Sequence, residues 1–192
     1  MRLDVPPGTL ETERLRLEPA VAAHAAQIID DLRDAPLYRF MAGGRLPRLR
    51  ELRAELRRLQ IGARDGGVMS LAWVAEGRAE RRYVGFFEAE IAGDGRASLG
   101  YLIFSRFWRR GYALEACRRI LRHLFEDRGV EVVIVDTVME NTAARALAAR
   151  LGFRSAGDNG ASADDRPEEG LIRHVLWRPS RHAGASEMVR WD

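Results

Sequence analysis

The chain reads as an α+β domain: a mixed, mostly antiparallel sheet with helices on both faces. Three observations predict it. Apolar residues alternate with polar ones in several short runs, the period of half-buried strands. Other runs repeat apolar residues every three or four positions, the period of helices with one buried stripe. One run, "VEVVIVDTV" at 130–138, is β-branched almost throughout, as a strand buried on both faces requires.

The elements follow in order. "ERLRLEP" alternates Leu15 and Leu17 with charge and predicts a strand. "AVAAHAAQIIDDLRDA" predicts a helix with Ile28, Ile29 and Leu32 toward the core. "YRFMAGGRLP" is a loop by its glycines and proline. Pro47 suits a helix start, and Leu49, Leu52, Leu56 and Leu59 form one apolar stripe opposite an arginine-rich face. "SLAWVAE" and "RYVGFFEAEI" are strands, Asp94-Gly95 signals a hairpin, and "ASLGYLIF" is the strand it leads to.

Leu114, Cys117, Ile120, Leu121, Leu124 and Phe125 form one face of a helix ending near Gly129. After the β-branched strand, Asn141 caps a helix through "TAARALAARL", and Gly152 ends it. "FRSAG" and "LIRHVLW" are the last strands, separated by the polar loop "DNGASADDRPEEG". With neither repeat nor linker, one domain over 1–192 is expected, its core at about 10–178 and a loosely ordered tail at 179–192, in which Trp191 is the candidate to dock.

Composition narrows the function. Hydrophobic content of 46% is enough for a normal core. The net charge is only +3, and all 31 basic residues are arginines, so the pI near 9.6 reflects composition bias more than nucleic-acid binding. Cys117 is alone, and His24, His123, His174 and His182 are scattered, so no metal site is expected. With no apolar stretch of signal or membrane-span length, a cytoplasmic protein is expected.

The chemistry concentrates in "FWRRGYALEACRR" at 107–119. The first amides of a helix have no internal partner and favour an anion. Gly111 lets a phosphate approach the backbone, Ala113 is small, and Arg109 and Arg110 add donors. These residues suit either a pyrophosphate cradle or a turn with solvated arginines. Glu88 and Glu90 share one face of their strand, which makes Glu88 a candidate general base. His174 reads as a surface residue and Cys117 as core filling. Tyr101 reads as packing. The arginine face around Arg53, Arg57 and Arg58 is a solvated face, or a surface for an acidic substrate or RNA.

Three segments resemble the GNAT N-acetyltransferases, most nearly the branch that includes the ribosomal-protein alanine acetyltransferases. "GYLIFSRFWRRGYALEA" resembles its cofactor segment, whose core is Q/R-x-x-G-x-G/A and which in that branch often reads GYW…P-x-W-G-K-G-Y-A-T-E-A. "MENTAARALAARLGF" and "LETERLRLEP" match two further segments. The likeness runs from about Leu10 to Trp177.

It implies a GNAT fold of six to seven strands, with a splayed strand pair holding acetyl-CoA. The pantetheine arm is then expected to pair with backbone groups of Ile103 and Phe104. The pyrophosphate is expected at the amides of Arg109, Arg110, Gly111, Tyr112 and Ala113. Asn141 reaches the pantetheine or acyl end, and Arg150 stands near the 3′-phosphate.

The implied reaction is direct attack of a primary amine, of a small molecule or a protein N-terminus, on the thioester. The chain acts as a monomer or homodimer. Trp108 replaces the motif's Arg or Gln, and Arg109 replaces a glycine. Ala144 replaces a serine suited to protonate the thiolate, which leaves Tyr112 as a candidate acid. Ser98 stands where relatives have Glu. These departures keep open a CoA-binding module without turnover.

Overall fold

The computed structural model describes residues 7–40, 47–60, 64–65, 67–155, 167 and 169–179. The expectations for the glycine-rich loop at 41–46, for most of the acidic loop and for the tail with Trp191 lie outside these residues.

Nine strands form one sheet. They are β1 (Leu10–Glu11), β2 (Leu15–Pro19), β3 (Arg64–Asp65), β4 (Val68–Gly77), β5 (Arg82–Ile91), β6 (Arg96–Ile103), β7 (Val132–Val138), β8 (Arg154–Ser155) and β9 (Leu171–Trp177). The order is β1-β2-β4-β5-β6-β7-β9-β8, with β3 added on β4. This exceeds the expected six to seven by β1 and β3, two-residue strands too short to show a period. Every pairing is antiparallel except β6 with β7.

Among the described residues, four α-helices complete the fold: α1 (Ala25–Leu32), α2 (Leu49–Gln60), α3 (Tyr112–Arg122) and α4 (Thr142–Arg150). α2 buries Leu56 and Leu59, while Leu49 and Leu52 pack at the margin of the core. α3 buries Ala116, Cys117, Ile120 and Leu121, then widens into a π-helical turn at His123–Asp127 that buries Leu124 and Phe125. His123 meets Trp73 edge-on, which places the odd-numbered side chains of β4 on the α3 face. Phe87, Ala89, Ile91 and Leu99 project to that face and are buried. Glu88, Glu90 and Ser98 project to the other, where Glu88 and Glu90 act electrostatically on Arg58 of α2.

The feature that positions the site is a gap in the sheet. β6 pairs with β7 only from Arg96–Val132 to Ser98–Ile134. Beyond Ser98 the two strands part, while β7 stays paired with β9 along its whole length. β6 stays paired with β5 as far as Ile103–Gly85.

Candidate active site

Backbone alternation decides which groups of β6 face the gap. In an antiparallel pair, each residue's N–H and C=O point to the same side, and successive residues alternate. At the two ends of β6, Phe104 N donates to Val84 O at 3.0 Å, and Ala92 N donates to Arg96 O at 2.8 Å. Even-numbered residues therefore bond β5, and Leu99, Tyr101 and Ile103 turn their backbone groups toward β7. This corrects the expectation for Phe104: its amide is spent on Val84 and its side chain is fully buried. The carbonyl of Ile103 is also engaged, accepting from Trp108 Nε1 at 2.6 Å. Tyr101 and the Ile103 amide remain toward the gap.

At the end of β6 the chain turns through Ser105–Phe107 into the loop before α3. Arg109 adopts φ 61°, the left-handed region that favours glycine. Gly111 adopts φ 81° and precedes α3 with no side-chain cap. Among the described residues, the amides of Arg109 through Leu114 have no hydrogen-bond acceptor, the first intrahelical bond being Glu115 N to Gly111 O at 3.2 Å. Five of these open donors, Arg109 to Ala113, lead into the positive end of the α3 dipole just past the end of β6, beside the gap. A Cβ on Gly111 would stand 3.3 Å from Arg14 Nη2, so the glycine also makes room for that guanidinium.

The two loop arginines differ. Arg110 reaches Glu80 Oε1 at 3.3 Å and the carbonyl of Arg106 at 3.4 Å, and lies over the Phe107 ring. Arg109 is exposed and has no partner among the described residues. Arg14 clasps Glu115 and donates to the carbonyl of Arg110 at 2.9 Å, bracing the loop from below.

The hydroxyl of Tyr112, the candidate acid, is held on the opposite side of β6 from the gap. The hydroxyl donates to Glu80, and Arg14 lies 5.0 Å from the Tyr112 ring centre. Both partners are on the β2 and β4–β5 side of β6, whereas the gap is on the β7 side. The carboxylate of Glu80, held low first by this hydroxyl, draws the ring away.

Asn141 follows β7 and precedes α4. Its Oδ1 accepts from Ala144 N at 3.0 Å, as a helix cap. The Nδ2 end has no partner among the described residues. Arg150 is exposed on the last turn of α4, roughly 13 Å along the axis from Asn141 at 1.5 Å per residue.

Glu88 is half-buried and lies opposite Gly100 of β6, two residues beyond the last β6–β7 pair. Burial raises its pKa, and the carboxylates of Glu90 and Glu55 raise it further against the opposing charge of Arg58. Arg58 is not a freely solvated charge, since Glu55 grips it at 2.7 Å.

His174 is buried rather than at the surface. Its Nε2 lies 3.0 Å from Thr137 Oγ1, and burial pushes its pKa down. Cys117 is fully buried with its thiol pKa raised, as core filling requires. The Tyr101 hydroxyl is closed to solvent without a hydrogen-bond partner among the described residues. Sequence reasoning missed Glu80, Glu115 and Arg14, whose partners lie 30 to 103 residues away. Among the described residues, no three metal-ligating side chains cluster, and no helix is long and apolar enough to cross a membrane.

Comparison with known proteins gives the class to which this open strand pair and its uncapped, glycine-led helix belong. The acetyltransferase (GNAT) domain family matches residues 14–154, so the chain belongs to the GNAT acetyltransferases and is an acyltransferase. A curated relative, the FsC-acetyl coenzyme A-N(2)-transacetylase of Aspergillus fumigatus, is 30% identical over 116 residues. That match takes in 50% of this chain and 49% of the relative, so the chain spans about half the length of that protein.

Among solved structures, a ribosomal L7/L12 alpha-N-protein acetyltransferase (RimL) in complex with coenzyme A superposes with a TM-score of 0.72 at 14% identity. The match covers 88% of this chain and 97% of that one. A GNAT-family acetyltransferase from Bacillus anthracis gives 0.71 at 16% identity, covering 88% and 98%. At these identities the likeness is one of fold.

Proposed function

We propose that this chain transfers an acetyl group from acetyl-CoA to a primary amine by direct attack within a ternary complex. The observation that carries the reading is the meeting of the β6–β7 gap with the five open amides of Arg109 to Ala113. A strand edge and an anion cradle at one mouth suit a ligand that is an extended amide chain at one end and a pyrophosphate at the other. The gap-facing groups of Tyr101 hold the arm, and the loop amides with Arg109 hold the phosphates. The Nδ2 of Asn141 is the donor available on the α4 side.

When bound, the cofactor supplies an acetyl thioester with an electrophilic carbonyl carbon. The Ile103 amide is the donor for the oxygen on which charge develops. The amine must be neutral to attack, and Glu88, kept basic by burial and like charge, takes its proton. The branch that acts on ribosomal proteins makes a protein N-terminus one candidate acceptor, and a small-molecule amine is the other. The reading also rests on a single domain acting as a monomer or homodimer.

Calorimetric titration of CoA into the protein and into Gly111→Glu tests the assignment. Binding to the unaltered chain and its loss in a folded variant support it. No binding to the unaltered chain overturns it. One observation favours a second reading, CoA binding without turnover: Ala144 has no side-chain proton to give, and the Tyr112 hydroxyl is bonded to Glu80. Tight CoA binding with no turnover across an amine screen selects that reading.

A further inference from the structure

We propose that Trp108 is a positioning residue for the cofactor loop, and that it acts through its indole N–H rather than through its ring. The inference rests on the acyl-CoA reading of the cleft. Trp108 is 47% exposed, so burial of the ring does not hold it in place. What holds it is the 2.6 Å hydrogen bond from Nε1 to the carbonyl of Ile103.

That bond closes the segment 104–108 back onto the strand edge beside the gap. Within the segment, Phe107 N donates to Phe104 O at 2.8 Å and Trp108 N to Ser105 O at 3.1 Å. The remaining side-chain tethers of the loop run the other way. Ser105 bonds Asp34, Arg106 bonds Asp31 at 2.6 Å, and Arg110 bonds Glu80. Among the described residues, Trp108 makes the one side-chain bond from this loop to β6. The five open amides begin at the next residue, with Arg109 in the left-handed region. Their direction relative to the gap is therefore set at Trp108.

The bond also decides what the strand offers. With the Ile103 carbonyl taken by the indole and the Phe104 amide by Val84, the peptide between them is closed on both sides. Pairing along the gap is confined to Tyr101 and the Ile103 amide.

The test is calorimetric titration of CoA into the unaltered protein, Trp108→Phe, Trp108→Leu and Trp108→Gln, with melting curves to verify folding. Phe and Leu lack the donor, and Gln restores it without the ring. Loss of one preorganising hydrogen bond predicts about tenfold weaker binding in the Phe and Leu variants. The Gln variant should bind at least about threefold tighter than either. A Gln variant no better than Phe overturns the inference, because the ring would then be what matters. So does a Phe variant that binds as tightly as the unaltered chain, or more tightly, because the indole would then be idle or in competition with the arm. Failure of the unaltered chain to bind CoA overturns the acyl-CoA reading itself.

Discussion

Arg109→Gly should make the protein more stable and its cofactor binding weaker, two effects of opposite sign from one substitution. Arg109 sits at φ 61°, where a Cβ crowds the backbone. A left-handed conformation costs a non-glycine residue about 1–2 kcal/mol. Glycine relieves that strain but adds about 0.5–1 kcal/mol of unfolded-state entropy. The net gain is about 0.5–1 kcal/mol, or roughly 1–4 °C in Tm for a chain of this size. Against it stands the lost guanidinium, which has no other partner among the described residues. An exposed charge–phosphate contact contributes about 1 kcal/mol, so CoA affinity should fall roughly fivefold. The fall should shrink at high salt, as screening already weakens the contact in the unaltered chain. Calorimetry at two salt concentrations and a thermal melt read both effects. Lower stability in the variant would refute the strain argument. Unchanged affinity at low salt would refute the phosphate role.

Tyr112→Phe should cost about 1–2 kcal/mol of stability by leaving Glu80 short of a donor, with CoA affinity and turnover little changed. A tenfold fall in turnover at constant Tm would instead put the hydroxyl at the thiolate. Asn141→Ala removes the cap on α4 and should lower Tm by roughly 2–4 °C, about 1 kcal/mol, by thermal melt. Turnover should fall as pH drops through the raised pKa of Glu88, and Glu88→Gln should abolish that acidic limb while leaving CoA affinity intact. The same raised pKa means the folded state prefers protonated Glu88. Stability is therefore lost as pH rises from the ordinary carboxylate range through that raised pKa, and Glu88→Gln should raise Tm at neutral pH and not at low pH.

Local periodicity determined the elements. β5 falls on Arg82–Ile91 and β9 on Leu171–Trp177, the two runs whose alternation or apolar density marked them as strands. α3 begins at Tyr112 because Gly111 precedes the apolar repeat, and α4 begins after Asn141 because its side chain caps it. These features depend on residues within a turn or two of each other, so the sequence displays them directly. The two-residue strands β1 and β3 do not repeat and left no period to read.

What the tertiary structure decided is everything set by partners distant in sequence. β6 and β7 are both good strands, and only their register shows that they part after Ser98. "RRG" presents two equal arginines, and only Glu80, in the turn between β4 and β5, ties down Arg110 and leaves Arg109 free. The same carboxylate turns Tyr112 away from the gap, and Thr137 on the neighbouring strand makes His174 a buried residue. A side chain's hydrogen-bond partner is chosen by which strands the sheet brings together, and that choice is a property of the whole fold rather than of any window along the chain.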